Sequence, residues 1–167
     1  APDPLHPEIL FGGTVSRCNV LTGETKNVSP ERGGTPNATA GQFRHAWTQP
    51  LVFSPADPRA LYYANQFLYK TTNGGESWTQ ISPDLTREDP GVPANLNDAA
   101  AGDAPADKRR GVVYTIAPSP LRAATIWIGT DDGLVQLTKD DGKTWQNVTP
   151  PALTSWSKVV MIEASHF

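Results

Sequence analysis

An eight-residue pattern occurs twice in this chain and constrains the architecture it can adopt. Thr71-Thr72-Asn73-Gly74-Gly75-Glu76-Ser77-Trp78 returns 67 residues later as Thr138-Lys139-Asp140-Asp141-Gly142-Lys143-Thr144-Trp145. Each copy follows a short alternating apolar run and precedes a strand-like segment ending in proline, at 79–83 and 146–150. Repetition of this order points to successive supersecondary units that bury their apolar faces against one another.

Each repeated position has a mechanical reason. Asn73 and Asp140 can accept hydrogen bonds from backbone N–H groups further along a hairpin tip. Gly75 and Gly142 suit a turn position with positive φ, where a side chain would clash. The hydroxyls of Thr71, Ser77, Thr138 and Thr144 can satisfy loose turn donors. Trp78 and Trp145 offer large apolar surfaces that fold back across the hairpin. An eroded third copy precedes these two at 22–30, without the acidic residue and without the Trp, and predicts a looser turn.

The pattern resembles the Asp-box, or BNR repeat, of sialidases, xyloglucanases and sortilin-type propellers. Further phrases resemble large bacterial members of that group, often named glycosyl hydrolases. They are Ile9-Leu10-Phe11-Gly12-Gly13, Leu51-Val52-Phe53-Ser54-Pro55, the run 78–86, the run 128–135 and the run 160–165. The resemblance implies an all-β propeller, with the boxes on the blade periphery and any ligand elsewhere. The glycosyl hydrolase name rests on fold-level analogy, which does not carry chemistry by itself.

The rest of the sequence agrees with short strands and many turns. Among 167 residues there are 14 Gly and 16 Pro, and the apolar runs are only four to seven residues long. Alternation and turn residues predict strands at 8–12, 15–20 and 25–29, then at 50–54, 60–64, 67–71 and 77–82. A third set falls at 112–117, 125–129, 134–138 and 144–149, and a last strand at 158–164. In blade terms this is B-C-D over 1–30, A-B-C-D over 31–83, a flexible inter-blade insertion over 84–111, A-B-C-D over 112–150 and a lone A strand over 151–167.

About three blade equivalents fall short of the four to eight that close a ring. The expectation is a piece of a larger propeller, completed by the remainder of a parent chain or by another copy. The leading B-C-D and trailing A strands suggest two copies as one way of closing six blades. Phe53-Ser54-Pro55-Ala56 aligns with Ile116-Ala117-Pro118-Ser119, placing Arg59 opposite Arg122, and Ile162-Glu163-Ala164-Ser165 repeats the same place.

Composition narrows the partners. A net charge of −3 and a pI near 5.5 argue against a nucleic-acid footprint. No apolar run is long enough for a membrane-spanning helix. The lone Cys18 cannot form an internal disulfide, and the start Ala1-Pro2-Asp3 suggests an exported protein whose leader is not in this chain. The triplets at Asn27, Asn37 and Asn147 match a glycosylation acceptor, a pattern common by chance in a Thr-rich chain.

Candidate chemistry is sparse. His6, His45 and His166 lack metal-ligand spacing, and no cofactor motif is present. A glycosidase needs two carboxyl groups across the sugar, one with a raised pKa. Asp84, Asp131, Asp132 and Glu163 are available, Glu163 being the catalytic candidate because it falls on an innermost strand. Asp131-Asp132-Gly133 reads more simply as a hairpin turn. For recognition, Trp47, Arg110 and Trp156 precede the innermost strand of successive blades, with Arg44 and His45 beside Trp47. The sequence therefore predicts a scaffold or binding module for a glycan or peptide, without catalysis by this segment. The alternative is part of a sialidase- or xyloglucanase-like hydrolase with other catalytic residues elsewhere.

Overall fold

The computed structural model describes residues 1–33, 43, 44, 46, 49–91 and 111–167. His45, Trp47, Arg110 and the Asn37 triplet lie outside the described residues. The described residues are all-β apart from a 3-10 turn at Pro30–Gly33, and they form three antiparallel sheets. The first holds β1 (Ile9–Gly12), β2 (Ser16–Asn19) and β3 (Thr25–Asn27) in that order. The second runs β4 (Leu51–Phe53), β5 (Leu61–Ala64), β6 (Leu68–Thr71) and β7 (Thr79–Gln80). The third runs β8 (Val113–Pro118), β9 (Ile126–Thr130), β10 (Val135–Thr138) and β11 (Gln146–Asn147). All eleven lie within or beside the segments that alternation predicts.

The sheets stack face to face, as blades do in a propeller segment. Successive side chains of a strand point to opposite faces, so a strand between two sheets must be apolar throughout. In β5, Leu61, Tyr62, Tyr63 and Ala64 are all buried. Leu61 and Tyr63 pack on Ile9, Phe11, Val15 and Val28 of the first unit. Tyr62 and Ala64 pack on Val113, Ile116, Ile126 and Ile128 of the third. By contrast β1 buries Ile9 and Phe11 but leaves Leu10 40% exposed, because only one of its faces is covered.

The first unit carries an isolated bridge beside its three strands. Pro2 bridges Leu10 in antiparallel pairing, and the amide of Asp3 donates to the Ile9 carbonyl at 2.9 Å. Ser54 to Ala60 and Ser119 to Thr125 make the same bond. The acceptor side chain recurs too: Asp3 Oδ1 accepts the Leu5 amide, Ser54 Oγ the Ala56 amide and Ser119 Oγ the Leu121 amide. Residues 1–3 thus lie beside β1 where the other two sheets have β4 and β8.

The same turn corrects an alignment. It equates Ser54 with Ser119, two positions from the sequence match, so Arg59 and Arg122 are not equivalent. The register agrees, since Phe53 pairs with Leu61 as Pro118 pairs with Ile126. Segment 158–164, expected as a strand, forms no ladder. It runs extended beside the third sheet, the Val159 amide donating to the Thr130 carbonyl at 3.0 Å. A lone strand has no backbone partner to define it. Its end carries the side-chain bond of that turn, Ser165 Oγ accepting the Phe167 amide at 3.1 Å.

Candidate functional site

The two repeated turns are built alike. Thr71 Oγ1 accepts the Gly75 amide at 3.1 Å, and Thr138 Oγ1 accepts the Gly142 amide at 2.9 Å. Asn73 Oδ1 accepts the Ser77 amide, as Asp140 Oδ1 accepts that of Thr144. Hydrogen bonds from the Thr144 hydroxyl and backbone hold the Asp140 carboxyl down to about 2. The tryptophans do more than pack back on their own hairpins. Trp78 Nε1 donates to the Val28 carbonyl at 2.7 Å, and Trp145 Nε1 to the Ile81 carbonyl at 3.0 Å. A side chain on Gly75 would strike Val28, and one on Gly142 the Ile81 carbonyl. Each turn therefore clasps the outermost strand of the preceding sheet.

Charges reinforce both clasps. Lys70 Nζ reaches both Asp141 oxygens, the closer at 2.7 Å, and Lys26 and Arg17 face Glu76. The hydrogen bond from Lys26 lowers the Glu76 carboxyl, with Arg17 adding to the effect. The eroded turn at Thr22–Thr25 lacks a Trp and is held instead by Asn19, whose Oδ1 accepts the Leu21 and Thr22 amides.

A polar cluster occupies the opposite ends of the same strands. Asp132 is fully buried: one carboxylate oxygen accepts the Thr130 hydroxyl and the other the Arg87 amide. The Arg87 guanidinium reaches the carbonyls of Asp132 at 2.7 Å and Gly133 at 3.2 Å. Arg44 donates to the Gly111 carbonyl, Asp84 Oδ2 and Thr86 Oγ1, all at 2.8–2.9 Å. Gly111 is a glycine by necessity, since a Cβ there would collide with both Asp131 and Asp132. With Leu85 buried and Arg87 tied down, residues 84–91 are a docked strap, a correction to their reading as part of a loose insertion.

Trp156 and Lys158 complete the cluster. Trp156 takes a φ of 64°, its amide donating to the Asp132 carbonyl and its indole to the Gly91 carbonyl at 2.9 Å. Lys158 Nζ stands 4.1 Å from the centre of the Tyr114 ring, within cation–π range. Tyr114 falls in the β8 bulge, a device that re-aims a side chain. Asp131 accepts the Val112 amide at 2.7 Å. Burial pushes its carboxyl up, and Asp132 adds to the rise while Lys158 opposes it.

The predicted residues thus separate by role. Arg44, Asp84 and Asp132 hold segments together, and Trp156 ties the strap to the third sheet while staying half-exposed. Asp132 has both oxygens engaged and no exposed surface, so it offers a sugar nothing. Glu163 is exposed and lines a cavity of about 600 Å³ at the other end, with Arg122, Trp127 and Lys139. It does not join the Asp131 cluster. Arg87, Tyr114 and Lys158 escaped the sequence reading. Only the Pro83-Asp84…Arg87 run, at the place of Pro30-Glu31, hinted at a strap.

Among the described residues no group of three or more His, Cys, Asp or Glu side chains is placed to hold a metal ion. Among the same residues no helix is long and apolar enough to cross a membrane. No family model matches the chain, and a search of curated proteins finds none similar to it.

Proposed function

We propose that this chain is a propeller segment of a larger exported bacterial protein, serving as scaffold and binding module for a glycan or peptide. The carrying observation is the division of labour between the two ends of the strands. The Asp-box end is spent on clasping sheets together, with both indoles donating to neighbouring carbonyls. The other end gathers aromatic, cationic and carboxylate groups, of which Tyr114, Asp131 and Trp156 are half-buried and Lys158 exposed. An aromatic face beside a cation and a carboxylate can stack on a sugar ring or hold a peptide side chain.

The test is a glycan and peptide array probed with the chain and three variants. Binding is expected to fall at least about tenfold in Tyr114→Ala and in Lys158→Ala, the scale of one lost desolvated contact. Lys143→Ala, in an exposed box position, is expected to bind as the parent does. Equal loss in Lys143→Ala, or binding indifferent to Tyr114 and Lys158, would overturn the assignment.

A further inference from the structure

The interface between sheets occurs twice, and its receiving half occurs a third time. Strand register equates Asn27, Gln80 and Asn147, and hence Val28, Ile81 and Val148 at the next position. The carbonyls of Val28 and Ile81 receive Trp78 and Trp145. The same register equates Phe11, Tyr62 and Trp127, the first two almost fully buried against the following sheet. Trp127 is only half-buried, and it lines one open cavity with Leu121, 57% exposed, and with Ile162 and the fully exposed Phe167. An exposed apolar patch of this kind marks an interaction surface.

We infer that this face of the third sheet receives a fourth Asp-box sheet, whose Trp donates to the Val148 carbonyl. Segment 158–165 is that sheet's innermost strand, since Ser165 carries the same turn bond as Asp3, Ser54 and Ser119. A second copy is not the occupant. Its Trp78 and Trp145 are engaged within its own chain, and its leading turn at 22–25 has no Trp to offer. Its β1 edge is already paired with residues 1–3. The inference rests on the propeller reading above and is independent of any ligand.

The turn equivalence dictates the experiment. Residues 122–150 are copied and fused after Phe167, so that Ser165 takes the place of Ser119. Amide exchange over 159–164 is expected to slow at least about tenfold relative to the unmodified chain, as ladder bonds form. Replacing the Trp145 of the appended copy by Phe should return most of that protection. The three original sheets report separately on the integrity of the rest. If they stay protected while 159–164 exchanges as before, the proposal fails. It also fails if the Phe replacement has no effect, or if the unmodified chain dimerises at micromolar concentration with 159–164 protected. Failure of the array experiment alone would remove the ligand site and leave this docking face standing.

Discussion

The indole of Trp145 donates to the carbonyl of Ile81 across the sheet interface, 64 residues back in the chain. Trp78 stands in the same relation to Val28. The repeated turn is therefore a joint between units as well as a hairpin tip. Replacing either Trp by Phe keeps most of the apolar surface and removes the donor, leaving a carbonyl unpaired. We expect a loss of about 1–2 kcal/mol in each variant, measured by urea unfolding.

Gly142→Ala tests the close approach at that joint. Its φ of 89° and the Ile81 carbonyl oppose a Cβ together. Gly23, at φ 74° in the eroded turn, has open space around it. Gly23→Ala should cost only the conformational strain of about 1–2 kcal/mol. Gly142→Ala should cost clearly more, and equal melting temperatures for the two would refute the clasp.

Tyr62 and Tyr63 are neighbours facing opposite sheets, and they make opposite forecasts. Tyr63 donates to Glu31 Oε1 at 2.8 Å, whereas the buried Tyr62 hydroxyl has no hydrogen-bond partner. Tyr62→Phe should leave stability unchanged or raise it by up to about 1 kcal/mol, because a desolvated hydroxyl is removed. Tyr63→Phe should lower it by about 1 kcal/mol. Paired thermal melts decide between them.

Asp140 has a carboxyl held near 2, below its ordinary value of 3.8. A depressed acid stabilises the fold above its unfolded pKa, and that contribution disappears as pH falls through the folded value. The loss should therefore appear between about pH 4 and pH 2. Asp140→Asn, which copies Asn73 of the first box, should melt close to the parent at pH 7 and lose that part of the acid dependence. A parent and variant with the same slope from pH 4 to pH 2 would contradict this.

Asp131 predicts the reverse sign. Burial raises its carboxyl, so the ionised form is the less favourable one in the fold. Stability from this group is present below the unfolded pKa and declines as pH rises through the folded one. Asp131→Asn can still accept the Val112 amide, and should be at least as stable as the parent at pH 7 while matching it near pH 3. A destabilised variant at pH 7 would count against a carboxylate burdened by burial.

The strands were legible because alternation and turn residues are local signals. The strand at 60–64 was placed by its apolar run, and the Thr-x-Asn/Asp-x-Gly arrangement announced both repeated turns. The site was less legible because its bonds are long-range. Arg87 meets Asp132 across 45 residues and Arg44 meets Gly111 across 67, with no periodicity to link them. The equivalence of Ser54 and Ser119 was misread by two positions because the Ser54-Pro55 and Ala117-Pro118 pairs look alike but occupy different places in their sheets. The pairing of Pro2 with Leu10 was missed because a single bridge leaves almost no alternation to read.

The turn shared by Asp3, Ser54 and Ser119 always spans the same distance in the chain, ending at Ile9, Ala60 and Thr125. The return path from each outermost strand to the next innermost one differs widely in length. The molecule therefore has one pole with a fixed gauge and another free to change its wording. Evolution, or a protein engineer, could rewrite the second pole by insertion without moving the first, and new recognition would come at little risk to the frame.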